Sequence, residues 1–146
     1  MKIRVLIADD HQIFRDGLIT LLEGEDDIEI IGTAKNGIEA VNLARSLDPD
    51  LIIMDITMPE MDGIEATSRL KIEKPGIKIV ALSMHSDRQF VKRMLKAGID
   101  AYLLKSCTSK KLIDVIHSVY NNKKILSEDI TDMVISDYLK AEAKVL

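Results

Sequence analysis

At 146 residues, 47% hydrophobic and 30% charged, the chain can bury one sizeable core but is too short for two full-sized domains. Its formal net charge of -4 argues against unaided nucleic-acid binding, which is driven by clustered Lys and Arg releasing phosphate counterions. The opening MKIRVLIADD sets two acids directly after a short apolar run, too short and wrongly bounded for a signal peptide or membrane span. A cytoplasmic protein without membrane contact is therefore expected.

The elements follow in chain order. Ile3 to Ala8 reads as a strand, and Phe14, Leu18, Leu21 and Leu22 carry the spacing of a helix after it. Ile28 to Ile31 is a second strand, followed by a helix on Ile38, Val41, Leu43 and Ala44. Leu51 to Met54 is a third, with a helix on Ile64, Ala66, Thr67 and Leu70. Asp62, with Glu65 three residues on, starts that helix, and Lys74-Pro75-Gly76 ends it. Ile77 to Leu82 and Ala101 to Leu104 are strands four and five, followed by helices on Phe90, Val91, Met94 and Leu95, and on Leu112, Ile113, Ile116, Val119 and Tyr120. Several strand runs are continuous rather than alternating, as expected for parallel strands buried on both faces. The pattern is (βα)5, an α/β doubly wound parallel sheet.

After a turn at residues 121 to 124, Ser127 is placed to cap one more helix, whose apolar residues Ile130, Met133, Val134 and Tyr138 fall on one stripe. Two readings of this tail stand: it folds back on the domain, or it is a linker or partner-binding helix. Cys107 is the chain's one cysteine, which excludes an internal disulfide; a partly buried structural side chain is expected.

Ligands of doubly wound sheets sit beyond the carboxyl ends of the strands. Strand one ends in Asp9-Asp10, strand three in Asp55, strand four in Ser83 and strand five in Lys105. Three carboxylates converging on one crevice repel by about 4 kcal/mol per pair at ~4 Å and an effective dielectric near ~20, so the cluster needs a cation. All-oxygen ligation suits Mg2+ better than zinc. The lysine and the hydroxyl supply donors for a phosphoryl group, and the set suits phosphoryl transfer to a carboxylate. Other phosphate signatures fail. No glycine-rich fingerprint follows strand one, and Gly32 to Gly37 is followed by Ile38 rather than Lys. An EF-hand over Asp55 to Asp62 is spoiled by Pro59 and by the position of Gly63.

These residues spell a family pattern. Asp9-Asp10, the run from Met54 through Asp55 to Gly63, Ser83 and Lys105 resemble bacterial response-regulator receivers from residue 2 to about residue 122. The resemblance implies a flavodoxin-like fold of strand order 2-1-3-4-5. It also implies that Asp55 is phosphorylated by a sensor histidine kinase, and that Asp9, Asp10, Asp55 and the backbone carbonyl of Thr57 hold Mg2+, Asp9 mainly through water. Lys105 would pair with the phosphoryl group, Thr57 would lie beside it, Ser83 would hydrogen-bond it, and Tyr102 would be an aromatic switch that swings inward. Such a protein is not an enzyme, although it assists its own phosphorylation and dephosphorylation.

Asp9-Asp10-His11, Leu82-Ser83-Met84-His85, Lys105-Ser106 and Lys124-Ile125-Leu126-Ser127 look like the NarL/FixJ group, whose members carry a LuxR-type helix-turn-helix. The expected organisation is a receiver over 1–122 and a linker with an amphipathic helix over 123–146, with the DNA-binding domain downstream and absent from this chain. The protein would then be a transcription regulator that dimerises on phosphorylation and touches DNA only through that domain. The alternative is a stand-alone receiver acting through protein partners or phosphorelay. An aspartyl phosphatase would need an acid two positions after Asp55, where Thr57 stands. His11 and His85 are expected to pack beside the site rather than to ligate.

Overall fold

The computed structural model describes residues 2–84 and 87–145; His85 lies outside them. The chain alternates β1 (Ile3–Ala8), α1 (Gln12–Glu23), β2 (Ile28–Ala34), α2 (Gly37–Leu47), β3 (Leu51–Met54) and α3 (Gly63–Glu73). It continues through β4 (Lys78–Ser83), α4 (Arg88–Ala97), β5 (Ala101–Leu104), α5 (Ser109–Tyr120), β6 (Ile125–Leu126) and α6 (Glu128–Val145). All strand pairs are parallel, in the order β2-β1-β3-β4-β5-β6. The expected order 2-1-3-4-5 stands, with one further edge strand, β6, that follows the expected turn and was assigned to no element from the sequence.

The continuous apolar strands are buried on both faces, which gives two cores. One packs Leu6, Ile52, Ile79 and Tyr102 against α2, α3 and α4. The other packs Val5, Ile53, Val80 and Leu103 against Leu18 and Leu22 of α1 and Leu112, Ile116 and Val119 of α5. Adjacent residues of one strand thus serve opposite cores, as the two-residue period of a strand requires.

Local chemistry sets the boundaries. Asn36 caps α2 by accepting the Glu39 N–H at 2.8 Å. Asp62 caps α3 by accepting the Glu65 N–H at 2.9 Å, satisfying a donor that a helix start otherwise leaves orphaned. Ser127 precedes α6, but its hydroxyl is buried and finds no hydrogen-bond partner among the described residues; its carbonyl accepts the Thr131 N–H. Ile130 is fully buried in the first core, so the tail helix folds back on the domain. Ile38, expected on a buried stripe, is exposed. Among the described residues no helix is long and apolar enough to cross a membrane.

Candidate functional site

Sheet register places the site. Ala8 pairs with Met54 across β1 and β3, so the residues that follow, Asp9 and Asp55, leave the sheet side by side. The Asp55 N–H donates to the Ala8 carbonyl at 2.9 Å, the Asp9 N–H to the Ala34 carbonyl at 3.0 Å, and the Lys105 N–H to the Ser83 carbonyl at 2.8 Å. These bonds extend the ladder one residue past each strand and bring Asp9, Asp55, Ser83 and Lys105 to one edge.

The loop from Asp55 to α3 is held by close backbone approaches. The Gly63 N–H donates to the Ile56 carbonyl at 2.7 Å, and a Cβ on Gly63 would stand 1.9 Å from the Asp55 carbonyl oxygen. A Cβ on Gly37 would meet the Met61 carbonyl oxygen at 2.3 Å. Only glycine fits at either point. Between them Glu60 takes φ 69, and the Met61 N–H donates to the Pro59 carbonyl, a tight γ-turn.

Asp9 and Asp55 are 2% and 4% exposed, while Asp10 reaches solvent. The acid oxygens of Asp9, Asp10 and Asp55 and a ring nitrogen of His11 all lie within 4.8 Å of one another. Lys105 Nζ, on a buried side chain, stands 2.6 Å from Asp9 Oδ2 and 3.5 Å from Asp55 Oδ2, and lies 4.3 Å from the centre of the Phe14 ring. One lysine thus faces two buried acids. Burial first, and then the Asp9 charge, push the Asp55 carboxyl up to about 6; Lys105 and the Ile56 N–H, which donates to Asp55 Oδ1 at 2.9 Å, oppose the rise. Such a set, whose donors are mostly carboxylate oxygens, suits a hard cation. The acids fit a metal ion.

Ser83 and Tyr102 are both fully buried, and their side chains are hydrogen-bonded to each other. Burial pushes the Tyr102 phenol up to about 12, so it stays protonated. The ring expected to swing inward is already inward here. Thr57 is exposed in the loop two residues after Asp55.

Two neighbours, Arg15 and Phe14, escaped the sequence reading. Arg15 is 8% exposed and donates from Nη1 to the Asp9 carbonyl at 2.6 Å; Phe14 walls the lysine. His11 bridges Asp9 and Asp10, with Nδ1 at 3.2 Å from each. Arg15 left a trace, since it shares the buried stripe of α1 with Leu18 and Leu22, where a charge needs a partner. Cys107 is a free, half-buried thiol, pushed up by that burial.

Residues 5–117 match the response regulator receiver domain family. The response regulator protein VraR of Staphylococcus saprophyticus is 38% identical over 130 residues, covering 89% of this chain and 62% of VraR. A LuxR-family two-component response regulator from Aurantimonas superposes with a TM-score of 0.89 at 28% identity, over 95% of this chain and 99% of that one. RcsB, in a structure of two dimers bound to two parallel DNAs, superposes with a TM-score of 0.82 at 25% identity, over 90% of this chain and 67% of that one. The chain spans about three fifths of the length of the curated relatives it matches. It belongs to the response regulator receiver family, the signalling phospho-acceptors of two-component systems, and within that family to the NarL/FixJ group.

Proposed function

We propose that Asp55 takes a phosphoryl group from the phosphohistidine of a sensor histidine kinase, and that this Mg2+-dependent event switches a DNA-binding transcription regulator. One observation carries the reading: Asp55 is a buried carboxylate crowded by Asp9 and faced by Lys105, in a chain that matches the receiver family. In the transfer, an Asp55 carboxylate oxygen bonds to phosphorus as the phosphorus–nitrogen bond breaks and the imidazole leaves with the electron pair.

Asp9, Asp10, Asp55 and the Thr57 carbonyl would hold the ion. When bound, Mg2+ neutralises charge on the phosphoryl oxygens. Lys105, now 2.6 Å from Asp9, would turn to the phosphoryl group, and Ser83 would donate its hydroxyl proton to a phosphoryl oxygen. Thr57, exposed at the mouth, would govern the access of water. Tyr102 would report the state of Ser83, and a shift from mostly inactive to mostly active needs about 5.5 kcal/mol of differential stabilisation. The RcsB dimers on DNA support an output by dimerisation and DNA binding through a domain outside residues 1–146. A cytoplasmic location follows from a cytoplasmic kinase partner.

Labelling with a radioactive small phosphodonor tests the reading. Acid-labile label should enter the wild type with Mg2+, fall to background with chelator, and be absent from Asp55→Asn. Label in that variant at the wild-type level would sink the assignment.

A further inference from the structure

The tail of the chain lies over the switch residue. Tyr102 pairs with Leu126 in the β5–β6 ladder, and its carbonyl accepts the Ser127 N–H at 3.3 Å. Its ring belongs to the core that includes Ile130 of α6, with Phe90 of α4 and Leu126, Met133 and Val134 at its edge. One turn further on, α6 is tied to α4 by charge. Asp137 Oδ1 lies 2.5 Å from Arg88 Nη1, and Asp137 Oδ2 lies 3.6 Å from Lys92 Nζ. Ile135, Tyr138 and Leu139 point away, exposed, so α6 has one docked side. Undocking α6 would unroof Tyr102, and swinging Tyr102 out would remove part of the core under Ile130. Docking and the inward ring are two descriptions of one equilibrium.

The link to Asp55 runs through Ser83. A hydroxyl gives one proton and accepts at two lone pairs. Ser83 can therefore accept from the Tyr102 hydroxyl while donating to a group on Asp55, and each bond strengthens the other by polarisation. We infer that residues 125–137 form an intramolecular strap whose docking on α4 and β5 is coupled, through Tyr102 and Ser83, to phosphorylation of Asp55: each favours the other. The inference rests on the proposed role of Asp55. Because coupling between two sites is reciprocal and usually about 5- to 150-fold, releasing the strap must weaken binding at the phosphoryl site.

The test measures affinity for beryllofluoride with Mg2+ in the full chain, together with hydrogen exchange across residues 128–140 and fluorine NMR of 3-fluorotyrosine-labelled protein. Asp137→Lys should speed exchange in α6, shift the Tyr102 resonance towards the exposed position, and weaken beryllofluoride binding about 5-fold or more. The swap Arg88→Asp with Asp137→Arg should restore all three, and beryllofluoride should slow α6 exchange in the wild type. Ile130→Ala provides a second release that leaves the charges intact. Faster α6 exchange with unchanged beryllofluoride affinity would overturn the coupling, as would unchanged exchange in both variants. A wild type that binds no beryllofluoride would instead overturn the role of Asp55.

Discussion

The two ends of the sheet both gather acids, and they treat them oppositely. At the amino end Asp48, Asp50 and Asp100 each have a donor of their own. Asp50 accepts the Arg4 N–H at 2.9 Å, and the Arg4 guanidinium donates to the carbonyls of Asp48 and Leu47. Lys74 lies 2.7 Å from Asp48. Asp100, 7% exposed, accepts from Lys71 Nζ at 2.8 Å and from the Ile79 N–H at 2.9 Å, joining α3 to the β4–β5 edge. At the carboxyl end, Asp9 and Asp55 are as deeply buried and share one lysine. An acid with its partners supplied is a clamp; an acid without them stores unfavourable energy that a ligand can release.

Removing one acid from each end should therefore move stability in opposite directions. The larger effect belongs to the clamp. Asp100→Ala leaves the Ile79 N–H unpaired and the Lys71 ammonium with only the Ile77 carbonyl in a largely dry setting, which should cost about 3 kcal/mol. A urea midpoint that shifts by less than a third of that would mean the pair is not a clamp.

The site end should respond with the other sign and less strongly. The Asp55 carboxyl sits at about 6 in the fold, against the usual 3.8. The folded state thus holds this proton more tightly than the unfolded chain, and stability falls as pH rises from about 4 to about 6 and stays low above that. In chelator at pH 7.5, Asp55→Asn should be more stable than the wild type by about 2 kcal/mol, with the gap closing as pH falls to about 4. Mg2+ should close it from the other side by stabilising the wild type alone. Urea unfolding of both proteins across that range, with and without Mg2+, checks each limb. A less stable Asp55→Asn at pH 7.5 would place Asp55 with the clamps.

This contrast marks how far the sequence could be read. Strands were legible because several are continuous apolar runs and all of the five but the second end in a chemically distinctive residue, and that regularity brought Asp9, Asp55, Ser83 and Lys105 together. What the sequence concealed depends on distance across the chain. Ile125–Leu126 is too short to carry a period, and its pairing with β5 is visible only through the β5–β6 ladder. Ser127 looked like a helix cap by residue type, yet its hydroxyl is buried and finds no partner among the described residues, since capping requires a geometry as well as an oxygen. Asp137 carries no mark in the sequence of its pairing with Arg88, 49 residues away.

The smallest expected effect separates place in the sheet from crowding by charge. Asp62 belongs to the same carboxyl end as Asp55, in the loop that α3 closes, but it is half exposed and lies outside the cluster of Asp9, Asp10, His11 and Asp55. Its oxygen has one task, accepting the Glu65 N–H. Asp62→Ala should cost about 1 kcal/mol, the usual loss of a helix cap. It should also leave the gain in stability from Mg2+ unchanged, whereas Asp55→Asn should abolish that gain. If Asp62→Ala instead stabilised the metal-free protein, repulsion would extend beyond the buried pair, and the boundary drawn around the site would have to include the start of α3.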